Sequence, residues 1–328
     1  MKLRFIYLLT ALMAMMTLTS CHNDDSFGNG GGSMLPIYYI NAKKTTNFVA
    51  VKEKGETDWK YYSGADVLMI FDMNDNTCSF SVSEMEFDTN RRATMSVAGI
   101  PMTDYRDSAV KGCQGAGPYE TATASTELLQ ITNVRIKALL DPERTFGTDG
   151  VDEQGNPKPK QVGAQVSFSF TINGEYDVQV IPNKHYFYGT TISTNPSHDF
   201  ATFSTTKSKY EMALNSTTGK AQLSIENALF VESMPEGINM TFPGIDFKVT
   251  DLGIEFESES LIPQLPQTPP RPMPAYKVSP FHATILTGEL MNMNFTCPAI
   301  PIPANQTQNT YEFQVSARLP YSLTAPAY

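Results

Sequence analysis

Through most of the chain, apolar residues recur at every second position. The clearest run sets Val166, Phe168, Phe170 and Ile172 on one face against Ser167, Ser169, Thr171 and Asn173 on the other, the spacing of a strand with one buried side. Asn173-Gly174 follows, then Tyr176, Val178 and Val180. That order predicts a hairpin with a type I′ turn, in which both turn residues take positive φ. Further on, Met291, Met293, Phe295 and Cys297 alternate inward opposite Tyr311, Phe313, Val315 and Ala317, across a longer connection from Pro298 to Thr310. Scattered Pro and Gly leave no long run of helical period. The fold class expected is therefore all-β, with strands joined mostly to their sequence neighbours.

The alternating pattern occurs twice over. Phe71-Asp72-Met73 matches Tyr210-Glu211-Met212, and Phe80-Ser81-Val82 with Phe87 matches Leu223-Ser224-Ile225 with Phe230. Met95 to Ile100 matches Met240 to Ile245; Val134, Ile136 and Ala138 match Phe281, Ala283 and Ile285; Tyr176 to Val180 matches Tyr311 to Val315. The offsets, 139, 143, 145, 147 and 135, drift as loop insertions between fixed strands would make them. A repeat of this length is a domain rather than a solenoid unit. Two tandem, related antiparallel β domains are expected, over residues 35–187 and 188–328. Each would hold about seven or eight strands, as a meander barrel or a sandwich.

The first residues depart from this pattern. Lys2 and Arg4 precede an apolar run from Phe5 to Met16, and small residues follow, which divides residues 1–20 as a signal peptide divides. The run is too short and too broken by Thr17, Thr19 and Ser20 to span a bilayer. Leu18-Thr19-Ser20-Cys21 has the form of a lipobox, which predicts acylation at Cys21 and membrane anchoring through the lipid. Residues 21–34 are polar and glycine-rich, a flexible tether about 20 Å in reach. Asp24-Asp25 resembles the acidic export tag of Bacteroidetes surface lipoproteins.

A net charge of -10 and a pI near 4.9 exclude an electrostatic footprint for nucleic acid. Besides Cys21 the chain has Cys78, Cys113 and Cys297. Cys78 and Cys113, both read as loop residues, are the candidate disulfide, and Cys297 reads as a buried thiol. None has metal-site spacing, and no cofactor motif is present.

The order of short strands, with SIENALF at 224–230 and MTFPGID at 240–246, resembles the calycin-like domains of Bacteroidetes lipoproteins. The likeness covers most of both halves and implies lipocalin-type barrels in a family largely of unknown function.

Candidate chemistry is sparse. His185, His198 and His282 lie far apart, and His282 reads as an exposed strand residue. No zincin or nucleophile-elbow motif occurs. Gly112 to Gly117 reads as a flexible loop between strands, and the acidic run Asp149 to Asn156 as a solvated hairpin tip. Pro263 to Pro274 holds six Pro and reads as a stiff polyproline connection. The aromatic residues are the best hint. Trp59, Tyr61, Tyr62, Tyr186 and Tyr188 are the candidate ligand-binding residues, with Tyr38, Tyr39 and Phe187 nearby in sequence, as stacking faces for sugars. The function expected is a non-catalytic, lipid-anchored binding protein at the outer membrane and, as the resemblance implies, at the cell surface, with a glycan, a small apolar ligand or an envelope protein as partner. A carboxylate-based glycan hydrolase and a fimbrial or adhesive subunit are the alternatives.

Overall fold

A computed structural model describes residues 35–103, 110–122, 128–146, 159–195, 201–230, 236–286, 290–301 and 310–322. The predicted signal peptide, Cys21, the tether, His198 and the acidic run at 149–156 lie outside them. The chain is all-β. Its first sheet contains β1 (Ile37–Ala42), β2 (Asn47–Glu53), β3 (Lys60–Tyr62), β4 (Asp66–Asp72), β5 (Thr77–Asp88), β6 (Arg91–Pro101), β7 (Val110–Gly115), β8 (Tyr119–Ala122), β9 (Leu128–Phe146), β10 (Lys160–Ile172) and β11 (Tyr176–Pro182). Its second contains β12 (Lys184–Tyr188), β13 (Thr190–Asn195), β14 (Ala201–Thr205), β15 (Lys209–Asn215), β16 (Lys220–Ala228), β17 (Ile238–Thr250), β18 (Gly253–Ser258), β19 (Gln264–Leu265), β20 (Arg271–Pro272), β21 (Phe281–Leu286), β22 (Leu290–Pro301) and β23 (Thr310–Pro320). The sheets change over at Asn183, so the strand Lys184–Tyr188, all but its last residue placed in the first domain from sequence, opens the second sheet.

Both sheets curl along the same circuit. In the second, β12, β15, β16, β17, β18, β21, β22 and β23 are successive neighbours; β23 then pairs with β13, which continues β12 past Gly189. A bridge from Phe187 to Tyr321 brings the two ends together. In the first, β1, β4, β5 and β6 lead through a Met102–Cys113 bridge to β7 and β8, then β9, β10, β11 and β2. Treating β1 with β2, and β12 with β13, as two limbs of one bent strand, and β7 with β8 as one position, gives eight positions to each circuit. The 11 and 12 strands among the described residues exceed the expected seven or eight because of these split strands, the additions β3 and β14, and the small β19–β20 hairpin. Curling until the ends meet satisfies backbone groups that an open edge would expose. One pairing departs from the antiparallel pattern: β1 runs parallel to β10 at Tyr38–Lys160 and Tyr39–Gln161.

The duplication is visible in the register. Cys78 faces Ile100, Phe80 faces Val97 and Val82 faces Met95; in the second sheet Ala221 faces Ile245, Leu223 faces Phe242 and Ile225 faces Met240. The irregularities fall at matching places, with Glu84 and Asn227 at φ 55° and 56°, and Gly99 and Gly244 at φ 70° and 79°. Bulges at the same positions bend both strands alike. Two sequence matches shift. Because Phe71 faces Cys78 while Leu214 faces Ala221, the partner of Phe71 is Leu214, not Tyr210. Because Val180 faces Phe168 while Ala317 faces Met293, the partner of Val180 is Ala317, not Val315.

Asn173 and Gly174 take φ 53° and 67°, with the Glu175 N–H donating to the Ile172 carbonyl at 2.9 Å, the geometry of the predicted turn. Other expectations need correcting. Gly112 to Gly115 is strand, not loop, because β7 pairs with β9 from Val110 to Gly115. Cys78 and Cys113 accordingly sit in strands, buried and free, with their thiols in hydrogen-bond contact. The Pro263–Pro274 segment is no continuous polyproline stretch: Gln264 and Leu265 pair with Pro272 and Arg271, and Thr241 pairs with Gln264.

The first interior is filled by Phe71, Phe80, Phe87 and Phe170, and the second by Tyr210, Phe242, Phe256 and Phe281, all almost fully buried. Each such side chain contributes roughly 1.5–3 kcal/mol. The second core reaches across the junction to take in Phe48, Ala50 and Ile181 from the outer face of the first sheet. Phe48, Tyr61 and Phe247 form an aromatic group there, with ring centroids 5.6 to 6.1 Å apart.

Candidate ligand cleft between the two sheets

The alternation that buries Phe168, Phe170 and Ile172 turns Ser169 and Thr171 outward, and strand pairing places polar partners beside them. Ser169 faces Arg135 on β9 and Gln179 on β11; Thr171 faces Asp177, which in turn faces Lys52 on β2. The result is a polar strip across four neighbouring strands. The turn joining β17 to β18 overhangs it. Gln179 Nε2 donates to the Thr250 carbonyl at 3.0 Å, and Lys52 is ion-paired with Asp251. Nearby, the Val249 N–H donates to the Tyr61 hydroxyl at 2.9 Å. Strip and overhang enclose an open cleft of about 350 Å³ lined by Lys52, Trp59, Asn133, Arg135, Ser169, Thr171, Asp177, Gln179 and Asp251, within the size range of small-molecule sites.

Trp59 is the only tryptophan in the chain. It is partly buried against the second core, with Lys52 Nζ 5.3 Å from its ring centroid, a cation–π contact that fixes the indole. Thr171 Oγ1 donates to Asp177 Oδ1 at 2.9 Å and accepts from Asn133 Nδ2 at 3.4 Å. Asn133, at φ 54°, sits where the β9–β10 register shifts, and the irregularity aims its amide at the strip. Arg135 is exposed, and its cross-strand neighbours, Gln114 and Ser169, are neutral.

Of the other aromatic candidates, Tyr61 is engaged in the junction and Tyr62 packs against the first core, where burial raises its hydroxyl pKa. Tyr186 is half-buried and locked to Gln165 by bonds of 2.8 and 3.0 Å, whereas Tyr188 is exposed. The five candidates therefore do not form one face, and Trp59 alone lines the cleft. Arg135, Asp177, Gln179 and Asn133 were not singled out from sequence. Their signal was the polar half of the alternation, which by itself marks only an outward face.

Two other hollows among the described residues are small. One of about 40 Å³ lies among Ile40, Val67, Met69, Val166 and Phe168, and another of about 30 Å³ lies between the sheets beside His185, Ile254, Ile285 and Tyr321. Such volumes suit about one or two waters rather than an apolar ligand. His282 is exposed, as its alternation predicted. No group of three or more His, Cys, Asp or Glu that could hold a metal occurs among the described residues, and no described helix is long and apolar enough to cross a membrane. No protein-family model and no curated protein matches the chain.

Proposed function

We propose that this chain is an exported lipoprotein, acylated at Cys21 and displayed at the outer membrane, which holds an oligosaccharide without cleaving it in the cleft between its sheets. The observation that carries the reading is the placement of the one Trp beside a strip of hydroxyl, amide and charged side chains. An aromatic surface next to paired donors and acceptors suits a polyhydroxylated ligand.

Because Trp59 is the sole indole, its emission reports the cleft directly. Titrating the soluble form with oligosaccharides is expected to change that emission saturably. Trp59→Ala should weaken binding at least tenfold by calorimetry, with Trp59→Phe intermediate and its thermal unfolding near wild type. Wild-type affinity in Trp59→Ala, or silence across the panel, would remove the reading. The anchor has its own test: Cys21→Ser should abolish incorporation of labelled palmitate and release the protein from membranes.

One observation favours a hydrolase. Asp177 and Asp251 both line the cleft, and paired carboxylates are what glycoside hydrolysis needs. Each is already engaged as an acceptor, Asp177 from Thr171 and Asp251 from Lys52, which supports binding over acid catalysis. Chromatography showing shortened oligosaccharides that vanish with Asp177→Asn would favour the hydrolase instead.

A further inference from the structure

We infer that the cleft selects an acidic oligosaccharide, one bearing a carboxylate that docks on Arg135 while the sugar chain runs back across the strip to Trp59. The inference rests on the cleft being the binding site. It starts from the way the four charged groups of the cleft are disposed. Lys52 lies against Trp59, is ion-paired with Asp251 and faces Asp177 across the β2–β11 pair. Both carboxylates are thus gathered on the Trp59 side, with Lys52 beside them. Arg135 stands on β9, the far side of the strip, and makes no ion pair among the described residues. The groups directly opposite it, Gln114 on β7 and Ser169 on β10, are hydrogen-bonding and uncharged.

Two consequences follow. First, an exposed guanidinium with no acidic neighbour across either strand pair keeps its fork of N–H donors available, and that fork matches the two oxygens of a carboxylate. A neutral sugar would use only part of it. Second, the register bears on ligand length. From β2 through β11 and β10 to β9 there are three strand spacings, about 14 Å in all. The backbones carrying Lys52, which lies against Trp59, and Arg135 are thus three strands apart, which suits an oligomer whose acidic unit sits away from the stacked one. Ser169, Thr171 and Gln179 lie between and provide hydroxyl and amide groups for the intervening rings.

The test compares galacturonic acid oligomers of three to six units with neutral galactose oligomers of the same lengths and with the galacturonate monomer, by calorimetry on the soluble form. The acidic oligomers are expected to bind at least tenfold tighter than the neutral ones, with the monomer far weaker. Arg135→Gln should remove the preference, and Arg135→Lys should restore part of it. Raising salt should weaken the acidic oligomers alone. Equal affinity for acidic and neutral oligomers, or a preference that survives Arg135→Gln, would overturn the inference. If neutral oligomers still bind in a Trp59-dependent way, the cleft reading survives that failure; no binding by any oligomer ends both.

Discussion

Phe48→Ala is expected to lower the unfolding free energy by about 3–5 kcal/mol, the range for deleting a buried aromatic ring, and to do so for the whole chain. Phe48 belongs to β2 of the first sheet, yet its ring is 1 % exposed and is counted with the second core. It packs edge-on to Tyr61 and at a tilt to Phe247, while Tyr61 stacks on Phe247 at 5.7 Å. Removing it opens a cavity lined by both sheets. The junction is also tied by the Gln165–Tyr186 pair, by Gln179 to Thr250, and by Asn183, whose N–H donates to Thr46 O and whose carbonyl accepts from Leu214. With the junction this well tied, denaturation followed by circular dichroism and by Trp59 emission should give coincident transitions in wild type. Phe80→Ala, which empties space only in the first core, serves as the comparison. A Phe48→Ala loss below about 1 kcal/mol would mean that the sheets barely support one another. Separate transitions for the two probes would mean that they unfold independently.

The junction also shows where sequence reading stops. Period-two alternation states which residues point inward, and it did so for Phe168, Phe170, Ile172, Met293 and Phe295, all of which are buried. The Asn173-Gly174 turn is a local signal because its chemistry is local. The duplication was readable because β5–β6 and β16–β17 keep one register down to their bulges. What failed depends on contacts between distant segments. Phe48, Ala50 and Ile181 break the rule that outer positions are polar, for the reason that a second sheet covers them. Gly112, Gly115 and Gly117, poor strand formers, predict a loop where β7 stands; its pairing with β9 overrides that preference. The cleft falls in the same class. Ser169 and Thr171 were legible as outward, while the overhang of the β17–β18 turn that makes them walls of a cavity was not.

His185 is the other departure, and it carries the second large expected effect: the chain should lose about 3 kcal/mol of stability between pH 6.5 and pH 4 through this residue alone. Register supplies the comparison. Ile40 faces Met69 in the first sheet, and His185 faces Met212 in the second, so a histidine stands where the repeat has an isoleucine. It is 4 % exposed and lies against the rings of Phe187 and Tyr321. Its Nδ1 is 3.2 Å from the Tyr321 hydroxyl, and its Nε2 has no partner among the described residues. Burial pushes its pKa down to about 4, against a weaker opposing pull from the Pro182 carbonyl. In the unfolded chain the imidazole titrates near its ordinary value of about 6.5. Above that pH both states are neutral and the residue adds no pH dependence. As pH falls toward 4 the unfolded state takes up a proton that the folded state refuses, so stability drops; below about 4 both states are protonated and this loss is complete. His185→Ile restores the residue of the first repeat and removes the titration. The difference between the wild-type and His185→Ile unfolding free energies, in which the carboxylates common to both cancel, should be level above pH 7 and fall by about 3 kcal/mol by pH 4. A difference that stays level through that window would mean that His185 is reached by water, or that the junction around Tyr321 opens before the rest of the fold.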